Sequence, residues 1–273
     1  MGNPLGGVAR RQAYIELFRR YYENFPYIHV DSGSYFADKK DSSRKHLTEE
    51  SLTRNLWVVR AFNRMGLDAL NVSFHDLDQL VVFSDRRIAD QKLPDCFTSA
   101  NIIARDQHLI RPAPFIVREL KGGRLKKRSL RIGIIGLTAT PGNQPEGYQI
   151  EDPISAAARV LPSMRERADY IVVLAYMSND AIEKLVHENP YIDVVIGNLG
   201  ALVSTQVKTI GRTLVTYSVH ETRFLGEIRI YIDDDGRPAK SVNRYIALNA
   251  TIPDDPAIER LRVEARKQIG TSK

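Results

Sequence analysis

The sequence predicts an α/β layered fold. Helical and strand periodicities alternate through the first 200 residues, and a β-rich stretch with an Asp-Asp-Asp-Gly turn at 233 to 236 follows them. The composition supplies a core: 43% of the 273 residues are hydrophobic and 26% charged, which excludes low-complexity classes. No internal repeat and no linker rich in Gly, Ser or Pro appears, so one domain over 1–250 is expected, followed by a charged, linker-like helix within 251–273.

Val8 to Asn24 opens the series. Ala9, Ala13, Ile15, Leu17, Phe18 and Tyr21 recur at helical spacing with arginines between them, which predicts an amphipathic helix with its arginines facing away from the core. Pro26 stops it, and Tyr27 to Asp31 reads as a short buried strand ending in a Ser32-Gly33-Ser34 turn. Thr48, with Glu50 and Ser51 after it, opens a second helix that runs to about Met65, where Gly66 stands as a C-cap. Asp68 to Ser73 is the next strand, and further strands are expected near 98–104, 113–120, 131–137, 170–175, 192–197, 213–218 and 224–232. Helices are expected at 153–168 and 179–188, and a last one over Pro253 to Ile269.

The charge balance, 39 Lys and Arg against 33 Asp and Glu, gives +6 and invites a nucleic-acid reading. Its densest part, Lys121 to Arg131, carries two glycines between two apolar runs and no aromatic residues, so it reads as a solvated hairpin and no nucleic-acid role is expected. No apolar run approaches the ~18 residues of a membrane span, and none is expected. The opening residues, Met1 to Gly7, lack a signal-peptide core. The single cysteine, Cys96, has no partner and no nearby base, so it reads as a small buried apolar residue. The six histidines form no i, i+4 pair, and no HExxH, Gly-x-Ser-x-Gly or P-loop pattern occurs.

Several predicted strands end in polar or glycine-containing turns, which is where α/β folds place ligands. In order they are Val30-Asp-Ser-Gly-Ser34, Val72-Ser-Phe-His-Asp76, Ser99-Ala-Asn-Ile102, Gly136-Leu-Thr138, Leu174-Ala-Tyr176 and Ile196-Gly-Asn198. With Gly6-Gly-Val-Ala-Arg10 ahead of them, their order and spacing resemble the metallophosphoesterases. The likeness is to the N-terminal catalytic domain of the bacterial 5′-nucleotidase and UDP-sugar hydrolase family, and it spans nearly the whole chain. It implies a calcineurin-like αββα sandwich and, by analogy with active members, a periplasmic or extracellular location.

Active members hold two metal ions on Asp, Asn and His ligands, because divalent cations need such donors to bind and to activate a bridging water. Carried over position by position, the bridging Asp falls on Ser34, the Asn ligand on Phe74, one His on Tyr176 and the last His pair on Leu199 and Ala201. The opening strand with its Asp-x-His has no counterpart, and neither has the base-gripping second domain. His75 and Asp76 match the family's residual dyad, for which the structural alternative is helix capping or packing. Around it would stand Asp31, Ser34, Asn101, Tyr176, Asn179 and Asn198, a cluster able to bind a small polar ligand or to form a solvated rim.

The resemblance therefore implies a catalytically degenerate domain that serves as a binding or assembly module, with no metal and no cofactor. The alternative is an active phosphoesterase with an unconventional site at His75, Asp76 and Tyr176. An unfilled first-strand position would leave backbone groups unpaired, so either the chain is a truncated or processed form, or the sheet has rearranged with fewer strands, or a protein partner or second copy pairs at an exposed sheet edge.

Overall fold

The computed structural model describes residues 7–36, 48–86, 95–121, 129–144, 146–198, 207–218, 222–233 and 238–271. Its centre is a six-stranded mixed sheet built from β5 (Ile116–Leu120), β6 (Leu130–Thr138), β8 (Tyr170–Tyr176), β9 (Val194–Gly197), β10 (Lys208–Ile210) and β11 (Thr213–Tyr217). The strand order is β10-β11-β9-β8-β6-β5, with the inner four strands parallel and both edge strands antiparallel. Both faces are covered, and the side chains divide accordingly. Ile132, Ile134, Val172 and Leu174 join one apolar cluster, while Ile135, Leu137, Val173 and Ala175 join the other.

A second, parallel sheet packs on the first face. It consists of β1 (Val30–Asp31), β2 (Ala69–Asn71) and β3 (Phe97–Thr98), in that order, with β1 at its edge. Helices α1 (Val8–Tyr21), α2 (Glu49–Met65), α3 (Leu77–Asp85) and α6 (Pro256–Thr271) belong to this side, and α4 (Pro153–Arg167) and α5 (Asn179–Glu188) cover the far face of the six-stranded sheet. The result is the αββα sandwich that the sequence implies. Two antiparallel pairs complete it: β4 (Ile102–Ala104) with β7 (Tyr148–Ile150), and β12 (Phe224–Ile232) with β13 (Pro238–Ala247).

Local signals explain most element ends. The Thr48 side chain accepts a hydrogen bond from the Ser51 N–H, and Gly66 closes α2 at φ 62°, as the sequence predicts. Asp152 caps α4 ahead of Pro153, and Ser178 caps α5. The hairpin tip within Lys121 to Arg131 falls mainly outside the described residues, but Leu120 pairs with Leu130 at its base. Residues 234–236 of the Asp-Asp-Asp-Gly turn are likewise outside, between two paired strands.

Three expectations need correction. Arginines of α1 do not all face solvent: Arg10 and Arg11 are buried, whereas Tyr21, assigned to the apolar face, is 80% exposed. Arg10 donates to the Leu248 carbonyl and meets Asp254, so burial is compensated by acceptors from distant parts of the chain. The strand expected at 98–104 is two strands in different sheets, because Ser99 to Asn101 turn away to bond across to β6 and Glu151. Residues 77–85, left without an element, form α3.

Helix α6 packs against α2 and α1, burying Ile258. Its entry is fixed by the Asp255 N–H, which bonds to the Ala9 carbonyl. Cys96 is buried, and desolvation pushes its thiol up to about 12, so it is an inert core residue at neutral pH. Among the described residues no helix is long and apolar enough to cross a membrane.

Candidate functional site

The parallel strands of both sheets deliver their following loops to one end of the sandwich, where β1, β2, β3, β6, β8 and β9 all terminate. Most of the polar residues there spend their hydrogen-bonding capacity on one another. Asp76 is the centre. Its Oδ2 accepts from the Ser73 N–H at 2.9 Å, the Ser73 hydroxyl at 2.6 Å and the Ser34 N–H at 3.0 Å; its Oδ1 accepts from the Tyr35 and Phe36 N–H groups, both at 3.2 Å. Burial raises the carboxyl pKa above the usual carboxylate range, and these donors offset only part of that rise. With no exposed surface, it clamps the loop after β1 onto the loop after β2. It also caps the 3-10 helix Phe74–Asp76 that leads into α3, through a capping box with Ser73.

Asn101 works in the same way. Its amide nitrogen donates to the carbonyls of Thr138 and Glu151 at 2.7 and 2.9 Å, and its oxygen accepts from the Thr138 N–H at 3.0 Å. Asn198 donates to the Gly33 carbonyl at 2.7 Å, and Asp31 accepts from Arg11 at 2.7 Å and from the Gly33 N–H. The loop so held is tight: Gly33 sits at φ 102° and Ser34 at φ 63°, and a Cβ on Gly33 would approach the Asn71 carbonyl to 2.9 Å. Sequence reasoning overlooked Asn71 and Thr138 in this scheme. Asn71 is fully buried and donates to the Ser32 and Leu137 carbonyls, while Thr138 accepts from the Phe74 N–H. An asparagine inside the apolar Ala-Leu-Asn-Val run was the signal available for the first.

Ser34 and His75 face solvent. The His75 ring lies 4.1 Å from Phe74 and 5.8 Å from Tyr176, edge-on to the latter, and Phe74 and Tyr176 meet at 5.7 Å. Phe74, Tyr176 and Ser34 are positions to which the resemblance carries metal ligands, and His75 is the position of its dyad. Leu199 and Ala201 lie outside the described residues, and Asn179 is exposed at the start of α5. Among the described residues no group of three or more His, Cys, Asp or Glu side chains could hold a metal ion.

Beside the site, Arg11 reaches under β1 and holds both Asp31 and His29. Its Nε and Nη2 lie 3.1 and 2.8 Å from His29 Nε2, which therefore accepts and leaves the ring proton on Nδ1. Burial first, then the charges of Arg11 and Arg19, hold the His29 pKa well below 6.5. The folded protein thus refuses a proton that the unfolded chain accepts, so the stabilisation is complete above pH 6.5 and is lost as pH falls below it. Urea unfolding between about pH 6 and 5 is expected to show stability falling by up to ~1.4 kcal/mol per pH unit, a slope that His29→Gln flattens.

No family model matches the sequence, and no curated protein matches it. Solved structures do. The sulfate thiohydrolase SoxB of Thermus thermophilus superposes with a TM-score of 0.75 at 15% identity, over 97% of this chain and 47% of its own. A 5′-nucleotidase precursor from Thermus thermophilus gives 0.73 at 20% identity, covering 98% and 54%. The NAD nucleotidase of Haemophilus influenzae gives 0.70 at 13%, covering 98% and 55%. The chain spans about half the length of each of them. Over that half, this protein has the calcineurin-like metallophosphoesterase fold found in the 5′-nucleotidases.

Proposed function

We propose that the chain is a catalytically degenerate metallophosphoesterase-fold domain that acts as a binding or assembly module. The observation that carries this reading is the inventory at the strand ends. Ser34, Phe74 and Tyr176 stand where the resemblance places metal ligands, Asp76, Asn101 and Asn198 are committed to loop-to-loop bonds, and Asp31 to Arg11 of α1 and its own loop. A carboxylate that accepts five hydrogen bonds and has no exposed surface is not available to a metal or a leaving group. The edge position of β1 supports an assembly role, since its outer side pairs with no strand among the described residues. The extracytoplasmic location implied by resemblance belongs to the same proposal, and fractionation of the source cells checks it.

The rival reading, a phosphoesterase with an unconventional site around His75, Asp76 and Tyr176, draws on the exposed imidazole beside the tyrosine ring. One experiment separates the two. Protein purified without chelator is dialysed against zinc and manganese, then analysed for metal and assayed with nitrophenyl phosphate. The proposal expects less than about 0.1 metal per chain and no turnover. Close to two metals per chain with turnover overturns it, and turnover that His75→Ala abolishes establishes the rival.

A further inference from the structure

Strand β4 is three residues long and, among the described residues, is paired on one side only. The Arg105 N–H bonds to the Gly147 carbonyl, and the Glu151 N–H to the Asn101 carbonyl. In an antiparallel ladder such residues alternate, so 101, 103 and 105 point their main-chain groups at β7, while Ile102 and Ala104 point theirs at the opposite edge. There they find no partner among the described residues. Two N–H and two C=O groups are therefore presented in strand geometry.

A cleft of about 460 Å³ runs along this strand. Its lining includes Pro112 and Pro114, which have no N–H to offer the β4 carbonyls. Ile103, on the outward face, is 40% exposed. Arg105 follows two residues later on that face, and Arg111 lines the cleft; both are exposed, and neither side chain makes a hydrogen bond or ion pair among the described residues. Arg159, also in the lining, is held by Glu151 and the Ala100 carbonyl.

We infer that this edge is a docking site for an acidic, extended peptide segment of a partner protein, which adds a strand beside β4. Main-chain hydrogen bonds to Ile102 and Ala104 give affinity, Ile103 offers an apolar anchor, and the two uncommitted arginines select carboxylates. The chain's net charge of +6 favours the same class of partner. The inference does not depend on whether the strand-end site binds metal.

The test uses two fluorescein-labelled peptides of about seven residues, one alternating Val with Glu and the other Val with Lys, titrated by fluorescence anisotropy with hydrogen exchange followed on the same samples. The acidic peptide is expected to bind at least about tenfold more tightly than the basic one and to slow exchange of the Ile102 and Ala104 amides. Ala104→Pro removes an edge N–H while leaving the β4–β7 bonds intact, and is expected to weaken binding by more than about tenfold. Arg111→Glu is expected to weaken the acidic peptide by about fivefold or more. Equal binding of both peptides, no binding at about 1 mM, or full binding by Ala104→Pro overturns the proposal. So does self-association of the chain that the same proline abolishes. Should Ala104→Pro fail to fold, the exchange result on the unaltered chain decides.

Discussion

Asp76→Ala is expected to lower the unfolding free energy by roughly 3–5 kcal/mol, measured by urea denaturation at neutral pH. The reason is the set of donors left behind. The N–H groups of Ser34, Tyr35, Phe36 and Ser73 and the Ser73 hydroxyl all point at a carboxylate with no route to water. An alanine leaves them buried without acceptors, and each such group costs about 1–3 kcal/mol unless the loop opens to solvent. Opening also releases the 3-10 helix Phe74–Asp76 that leads into α3, whose capping box with Ser73 the same side chain completes. Asp76→Asn keeps the shape and one acceptor oxygen, so it is expected to recover part of the loss. A stability change below about 1 kcal/mol in Asp76→Ala, with altered ligand binding instead, would place this residue among functional groups rather than clamps.

The second large effect is expected at Gly136, two residues before the end of β6. Here the two sheets approach so closely that an added Cβ would lie 2.3 Å from Asn71 Oδ1 and 2.4 Å from the Thr98 carbonyl oxygen. The Thr98 oxygen belongs to the backbone of β3, so no side-chain rotation relieves the contact. Nor can β6 retreat freely, because it is paired on both sides and the Gly136 carbonyl accepts from the Ala100 N–H. Gly136→Ala must therefore push the sheets apart along the core, at or above the upper end of the ~1–3 kcal/mol usual for overpacking. Thermal unfolding checks it, with Gly142→Ala as a control in open space. Equal melting of both variants would show that the sandwich gives way there at little cost.

Both effects bear on how much could be read in advance. The layered fold was legible because strands covered on both faces are near-continuous apolar runs, as in Tyr170 to Tyr176, and because α2 and α5 carry their caps in the sequence. The site was legible as a place, since polar turns at strand ends are visible in the residues alone. Its internal bonding was not. Asp76 was assigned to a dyad with His75, although Ser73-x-x-Asp76 ahead of Leu77, Leu80 and Val81 is a helix-start pattern and α3 begins there. Asn71 bonds to the carbonyl of Leu137, which is 66 residues away, and Asn198 to that of Gly33, 165 away. Pairings of that range depend on how the sheets stack, which no local periodicity encodes. The buried Arg10 and Arg11 escaped notice for the same reason: their acceptors come from Leu248, Asp254, His29 and Asp31.

The docking of α6 has a consequence for how the chain is made. Ala9 and Arg10, close to the beginning, are completed by Asp255 and Asp254, close to the end, and Trp57 of α2 donates to Gln268. On the ribosome, at about 5–20 residues per second, α1 and α2 emerge roughly 10–50 s before the helix that seals them. During that interval the faces destined for α6 are uncovered, and closure joins positions some 240 residues apart. The outer helical layer of this domain therefore closes late, and the nascent domain offers its α1–α2 surface to holdase chaperones until α6 arrives.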